Sequence, residues 1–135
     1  VKDAVAYRID TPDAAVVISG DTRVCAEVED LARGADLLVH EACRATARSG
    51  AIRGADFEKI FGYHAGTVAL GALAERAGVR HTVLTRLIPP PGTEYAEEEF
   101  EEDLRSGGYT GRVTVGTGRV TAGCDLLGSQ IPVGK

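Results

Sequence analysis

Hydrophobic residues in this chain come in short runs that stop abruptly at polar residues. The clearest run, residues 14–18, is apolar and largely β-branched, and it stops at Ser19-Gly20-Asp21-Thr22. A short apolar run of this kind predicts a buried strand. A carboxylate just beyond such a strand lies where α/β proteins place their ligands. Asp21 is therefore the first candidate site residue.

The same periodicity predicts alternating strands and helices along the chain. A turn signal at 11–13 predicts that the strand at 4–9 and the strand ending at 20 form a hairpin. Further strands are predicted at 37–39, 79–84, 112–115 and 119–122, the last two around a hairpin turn at 116–118, and helices at 25–32, 42–49, 68–77 and 95–104, with 56–61 as a short helix or a loop. Gly34 and Gly78 are expected to close two helices. The alternation predicts an α/β layered domain.

Three predicted strand ends carry polar groups. They are Asp21, the pair His40-Glu41, and Arg86, while His64 precedes the helix between the last two strand ends. Neighbouring strands of a sheet lie about 5 Å apart. We therefore expect these groups to share one rim of the sheet.

Length and charge restrict the function classes. The 135 residues suit one domain, which we place at 1–125, followed by a flexible tail at 126–135. The net charge of −5 provides no basic footprint for nucleic acid and no attraction to an anionic membrane surface. No apolar stretch is long enough to cross a bilayer. Neither a nucleic acid nor a membrane is therefore an expected partner on charge and hydropathy alone.

The cysteines indicate the cellular compartment of the chain, and its first residue indicates whether it is a fragment. Cys25, Cys43 and Cys124 are an odd number at wide spacing, which is typical of free thiols in a reducing cytoplasm. The chain begins at Val1 and almost directly enters a strand, so we expect a fragment or a processed product.

Several motifs, in this order, resemble one family. Ser19-Gly20-Asp21-Thr22-Arg23-Val24-Cys25 is followed by the segment 31–42, by His64-Ala65-Gly66-Thr67 and by the segment 78–85. Together they resemble the C-terminal half of a metallo-β-lactamase-fold hydrolase of the ribonuclease Z-like subgroup. The resemblance covers most of the chain to about residue 122.

The resemblance implies a fold and a chemistry. The expected fold is half of an αββα sandwich, a mixed sheet with helices on one face. The expected cofactors are two divalent metal ions, zinc or manganese, bridged by Asp21, and His64 would stabilise or protonate the reacting phosphate. Two such cations lower the pKa of a shared water, and a histidine can supply a proton near neutral pH. The implied activity is hydrolysis of phosphodiester or other ester bonds. The family name also implies nucleic acid as a partner, although the net charge of the chain does not favour one.

Two departures weaken the catalytic interpretation. The family's His-x-His-x-Asp-His motif is absent, and His40, His64 and His81 do not have the spacing of a ligand pair. Arg86 stands where the family has a ligand histidine, and a guanidinium cannot ligate a metal. Arg86 could instead pair with Asp21. The alternative function is therefore a metal-free, non-catalytic domain that acts in assembly.

Each candidate residue also has a structural interpretation. Asp21 could be a turn or N-cap residue, and His64 could cap or pack. We expect His40 and Glu41 to bond neighbouring backbone rather than to act in catalysis, with Thr22 also supporting the site. His81 is expected to be structural or exposed, and Cys25 an ordinary thiol. The acidic segment 97–103 is expected to be a solvated helix face, with Phe100 and Leu104 as its inward side.

The half-sandwich has a consequence for association. Half of a two-sheet sandwich exposes an apolar sheet face, and such faces drive association. We therefore expect a homodimer or pairing with a missing N-terminal half.

Overall fold

The computed structural model describes residues 5–44, 66–88 and 97–116, together with the backbone of two strands at 121–124 and 130–134. The strands are β1 (Tyr7–Asp10), β2 (Ala15–Ile18), β3 (Leu37–Cys43), β4 (His81–Ile88), β5 (Arg112–Val115), β6 (Thr121–Cys124) and β7 (Gln130–Gly134). The helices are α1 (Ala26–Ala32), α2 (Thr67–Ala77) and α3 (Glu97–Ser106). None of these described helices is long and apolar enough to span a membrane.

The strands β1 to β5 form one mixed sheet in sequential order. β1 pairs antiparallel with β2, which confirms the predicted hairpin, and β2, β3, β4 and β5 run parallel. Because parallel neighbours need crossover connections, helices lie between these strands along the chain. The sheet and its three helices confirm the predicted α/β class.

The hydrophobic core lies between the sheet and the helices. Val17, Leu38 and Leu84 project from three strands into one cluster with helix residues such as Leu70 and Phe100, and all five side chains are fully buried. In the parallel register Val17 lies beside Leu38, so the two share a face of the sheet. The helices therefore cover that face.

The opposite face is apolar and exposed at its β1–β2 end. Tyr7 lies opposite Ile18 in the register, and the exposed fractions of Tyr7, Ile9 and Ile18 are 64%, 51% and 41%. Val5 is 56% exposed. We call these four residues the apolar stripe. Toward β3 and β4 the same face is buried, as at Val83, so the expected exposed apolar face is confirmed only at the β1–β2 end.

The helix ends follow the predicted signals. Cys25 is the N-cap of α1, and Gly34 follows the helix with φ 67°. Gly78 ends α2 with φ 71°, a conformation that glycine adopts without steric cost. α3 runs to Ser106, two residues beyond its predicted end, and the predicted inward residues Phe100 and Leu104 are fully buried.

Two strands are longer than predicted. The ladder between β3 and β4 runs from Leu37 opposite His81 to Cys43 opposite Ile88, past an irregularity between Glu41 and Cys43. The predicted helix at 42–49 is therefore wrong at its start, and the strand predicted at 79–84 continues to Ile88. The polar residues suggested that each strand ended there, but pairing with a central neighbouring strand extends both strands past them. Residues 45–49 and the predicted segment 56–61 lie outside the described residues.

The predicted hairpin around residues 116–118 is wrong. β5 pairs with β4, whereas β6 pairs antiparallel with β7 in a separate two-stranded sheet. Local turn residues could not reveal this, because the choice between partners depends on the whole sheet. β7 falls within the segment 126–135, for which a flexible tail is predicted, and the division of the chain at residue 125 stays a prediction.

Candidate functional site

The turn after β2 is fixed by close backbone contacts. The Ser19 N–H donates to the Val39 carbonyl oxygen at 2.9 Å, which extends the pairing of β2 with β3 by one residue. A Cβ atom at Gly20 would lie 2.5 Å from the Val5 carbonyl oxygen, so this position requires glycine. The turn therefore holds Asp21 at the C-terminal rim of the sheet.

Arg86 reaches this rim from within β4, two residues before the strand ends at Ile88, and not from a strand end as predicted. Its Nη1 atom lies 2.9 Å from Asp21 Oδ1, which confirms the ion pair anticipated from the sequence. The two residues extend from β2 and β4, and β3 lies between these strands. Two strand spacings amount to about 10 Å, which the two side chains and the contact between them bridge together. The pair is partly solvated, since Arg86 is 62% and Asp21 34% exposed.

The Arg86 backbone is strained. Among the described residues, Arg86 is the non-glycine residue with a positive φ, at 48°. This left-handed conformation costs a residue with a Cβ atom about 1–2 kcal/mol. Such strain concentrates at functional sites and persists only where the surrounding structure enforces it. The positive φ is held at the same residue that contacts Asp21.

Asp21 is not a helix cap. The N-cap of α1 is Cys25, which makes no side-chain capping bond, so the N-cap interpretation of Asp21 is wrong. Thr22 lies next to Asp21, and its hydroxyl donates to the Arg23 carbonyl oxygen at 3.1 Å. Thr22 therefore stabilises the local turn, and the described contacts leave the Asp21 carboxylate to Arg86.

His40 and Glu41 are buried inside β3 and do not lie at its end, which corrects the predicted position. The His40 ring bonds through Nδ1 to the Glu41 carbonyl oxygen at 2.8 Å, as expected for a bond to neighbouring backbone. Because the carbonyl can only accept, Nδ1 carries the proton. Burial lowers the pKa of His40, while the bond to Glu41 opposes this effect. His40 is therefore neutral, and its Nε2 has no hydrogen-bond partner in the described part of the chain.

His81 does not join Asp21. His81 is fully buried at the first position of β4, opposite Leu37, and its Nε2 bonds the Thr114 hydroxyl at 2.8 Å. It lies at the opposite end of the strands from Asp21, which confirms the structural interpretation. His64 lies outside the described residues, so its catalytic role stays a prediction.

The sequence analysis missed a buried polar network at the same rim. Arg44 follows β3, and its Nε donates to Asp103 Oδ2 at 2.8 Å. The Thr67 hydroxyl, at the start of α2, donates to the same oxygen at 2.6 Å. The Arg44 backbone N–H also donates to the Ile88 carbonyl oxygen at 2.8 Å. This network, which we call the Asp103 clamp, joins the ends of β3 and β4 to α2 and α3.

The clamp corrects the interpretation of the acidic segment. Asp103 was assigned to the solvated face of α3 but is only 7% exposed. A signal existed in the sequence, because Asp103 is three residues after Phe100 and beside Leu104, on the inward face of a helix. The burial of Asp103 was not predicted because the residue is acidic, and an aspartate is rarely buried without a partner. That partner, Arg44, is distant along the chain.

The described residues do not fit a two-metal centre. Within the described ranges no group of three or more His, Cys, Asp or Glu side chains is arranged to hold a metal ion. The one carboxylate at the expected place, Asp21, already contacts the positive charge of Arg86. A metal ion there would have to displace a guanidinium and find its other ligands elsewhere.

Comparison with known proteins shows what this arrangement is similar to. No family model matches the chain. A putative ribonuclease Z of Mycobacterium tuberculosis (strain CDC 1551 / Oshkosh) is 34% identical over 116 residues, which cover 86% of this chain and 50% of that protein. Ribonuclease Z of Mycobacterium sp. (strain KMS) is 38% identical over 96 residues, which cover 70% of this chain and 33% of that protein.

A solved structure shows the same fold. The metallo-β-lactamase fold protein YhfI from Bacillus subtilis aligns with a TM-score of 0.61 at 22% identity, over 82% of this chain and 40% of YhfI. The chain is a ribonuclease Z-like portion of the metallo-β-lactamase fold. It spans about half, or less, of the length of the ribonuclease Z proteins that it matches. In this metallo-β-lactamase portion, Asp21 and Arg86 are the groups that meet at the C-terminal rim.

Proposed function

We propose that the protein is a metal-dependent hydrolase of the metallo-β-lactamase superfamily that acts on phosphodiester or other ester bonds. The observation that carries this proposal is a carboxylate, Asp21, at the C-terminal rim of a sheet whose sequence is similar to ribonuclease Z. The isolated chain is expected to be inactive, because its described residues do not supply a full set of metal ligands.

The proposal gives separate roles to residues of this chain. Asp21 provides carboxylate oxygens, which suit a divalent cation, with zinc or manganese as the proposed metal. His64 provides an imidazole that, when protonated, can donate a proton to a leaving oxygen. The buried Glu41 and His40, together with Thr22, are proposed to support the rim.

The apolar stripe supports the proposal that another sheet covers this face. Tyr7 and Ile18 are cross-strand neighbours that expose apolar surface side by side on the edge hairpin. Contiguous apolar surface of this kind is typical of an interaction site. We propose that an apolar sheet covers the stripe, as in a two-sheet sandwich. The proposed source is the half that the relatives have beyond the matched region, and a second copy of the chain is the other source to be tested.

The Asp21–Arg86 ion pair favours a second candidate function. A cation that already neutralises the carboxylate removes the need for a metal ion there, so the same fold could serve in assembly without catalysis. The two candidates differ in metal content, and that difference can be measured.

We also propose a cellular location and a substrate class. Cys25 and Cys43 are free thiols, which supports a reducing, cytoplasmic location. The net charge of −5 does not favour a nucleic acid as the partner of this chain, so the substrate is proposed only as a phosphodiester or ester.

The test uses the product of the complete reading frame that encodes this chain. Hydrolysis of bis(p-nitrophenyl) phosphate is measured with added Zn²⁺ or Mn²⁺ for the wild type, Asp21→Ala and His64→Ala. We expect metal-dependent turnover that falls at least about a hundredfold in both variants. Asp36→Ala, at the other end of the sheet, is the matched control and should retain turnover. Wild-type protein without turnover and without bound metal would support the assembly function instead.

Sedimentation tests the partner separately. The 135-residue chain is expected to associate at micromolar concentration through the stripe. Tyr7→Lys together with Ile18→Lys should abolish that association, because two charges would be placed on the apolar surface. A wild-type chain that remains monomeric at this concentration contradicts a second copy of the chain as the cover of the stripe and leaves the missing half as its source.

A further inference from the structure

The Asp21 carboxylate has a limited number of lone pairs, and Arg86 occupies one of them. The distance of 2.9 Å between Arg86 Nη1 and Asp21 Oδ1 is that of a charge-assisted hydrogen bond. The guanidinium has five donors and no acceptor, and it stays protonated. A metal ion and this guanidinium therefore need the same carboxylate and repel each other.

We propose that Arg86 is a resident cation that competes with metal ions for Asp21, so that the rim holds one metal ion fewer than it would with histidine at position 86. This inference rests on the proposed function, because it concerns the same rim. It goes beyond that function by assigning Arg86 an effect on metal stoichiometry.

Three observations support a positioned cation rather than a chance surface contact. Arg86 spans the width of β3 to reach Asp21. Its backbone holds a positive φ in that position. The Asp21 side chain is only 34% exposed, so its ion pair is screened less than that of a fully solvated carboxylate. Arg86 itself is 62% exposed, so its guanidinium is partly solvated while it holds this contact.

The chain contains a matched control for this pair. Arg80 lies just before β4, and its Nη1 is 3.3 Å from Asp36 Oδ1. Arg80 is 62% exposed, the same fraction as Arg86, and Asp36 is 19% exposed. Arg80→His therefore tests whether any histidine beside a partly buried aspartate creates a metal site.

The experiment measures zinc retained per chain after dialysis, using the product of the complete reading frame. The proteins are wild type, Arg86→His, Arg80→His, and Arg86→His combined with Asp21→Asn. We expect Arg86→His to retain about one more zinc equivalent than the wild type, since imidazole is a zinc ligand. Arg80→His should match the wild type, and the double variant should lose the additional equivalent.

Two results would overturn the proposal. One is zinc content in Arg86→His equal to that of the wild type, and the other is a gain that survives Asp21→Asn. Circular dichroism checks that each variant is folded. If Arg86→His fails to fold, Arg86→Asn tests the same competition, because asparagine tolerates positive φ. It should lower the dissociation constant for Zn²⁺ about tenfold, and an unchanged constant contradicts the proposal.

Failure of the inference and failure of the proposed function give different results. Turnover of the phosphodiester by the wild type, without a zinc gain in Arg86→His, keeps the hydrolase and removes the competing role of Arg86. A zinc gain in Arg86→His, without turnover by the wild type, keeps the competition and removes the hydrolase.

Discussion

Arg86 contacts Asp21 across an intervening strand, at 2.9 Å between Nη1 and Oδ1. The contact joins the turn after β2 to a residue of β4 that lies two positions before the end of that strand. It brings together the carboxylate proposed to bind metal and a cation that cannot ligate one. The chemistry of the rim therefore depends on whether Asp21 binds Arg86 or a metal ion.

The strain at Arg86 can be separated from its ion pair by two substitutions. Arg86→Gln removes the pair and keeps a side chain at positive φ, so we expect a loss of no more than about 1 kcal/mol in the free energy of unfolding. Arg86→Gly removes the pair and the strain, and it should be more stable than Arg86→Gln by about 1 kcal/mol. Urea unfolding measures both. Equal stabilities would show that position 86 is unstrained.

The Asp103 clamp is expected to matter more for stability than the surface ion pairs. Asp103 and Arg44 are 11% and 12% exposed in their side chains, so removal of the carboxylate deprives a nearly buried guanidinium of its shorter ion pair and leaves the longer one, at 3.6 Å to Glu99. We expect Asp103→Ala to lower the free energy of unfolding by about 3 kcal/mol. Asp30→Ala removes an exposed pair with Arg33 and should cost less than about 1 kcal/mol. Similar losses in the two variants would contradict the clamp.

The two described thiols should differ in reactivity. Burial and the nearby Glu41 charge raise the pKa of Cys43 to about 12, so almost no thiolate forms at neutral pH. Cys25 is partly exposed at the start of α1. In a Cys124→Ser background, a disulfide reagent at pH 8 should modify one thiol quickly and the second only after denaturation. Cys25→Ser should abolish the fast reaction, and a fast reaction that remains contradicts the assignment.

Stability should fall at mildly acidic pH because of two buried histidines. Burial lowers the pKa of His40, and burial with the Arg112 charge lowers that of His81, both from an ordinary value of 6.5. The unfolded chain therefore takes up these protons first. Stability present above about pH 6.5 is lost as pH falls from 6.5 toward the folded pKa values, by at most about 1.4 kcal/mol per pH unit for each histidine.

Substitution tests the source of this pH dependence. His81→Gln keeps a polar atom for Thr114 and should reduce the slope of unfolding free energy against pH between 6.5 and 5. His40→Asn keeps a donor for the Glu41 carbonyl and should reduce the slope independently. An unchanged slope in both variants would assign the acid sensitivity to the carboxylates.

Local patterns in the sequence determined much of the fold. The apolar run before Ser19 gave β2, and glycines at 34 and 78 marked two helix ends, because capping and strand burial depend on neighbouring residues. The hairpin of β1 and β2 followed from a turn signal. The ion pair between Asp21 and Arg86 could be anticipated because the family resemblance put both residues at metal-ligand positions of one site.

Tertiary structure decided the features that depend on distant partners. β3 and β4 are longer than their apolar runs, because each provides hydrogen bonds that the other needs beyond Glu41. β6 pairs with β7 rather than with β5, which no turn signal could specify. Asp103 is buried because Arg44 and Thr67 reach it from other elements, and Arg86 adopts a positive φ at the sheet rim. A residue's own neighbours fix its local geometry, whereas burial and charge pairing depend on residues that only folding brings together.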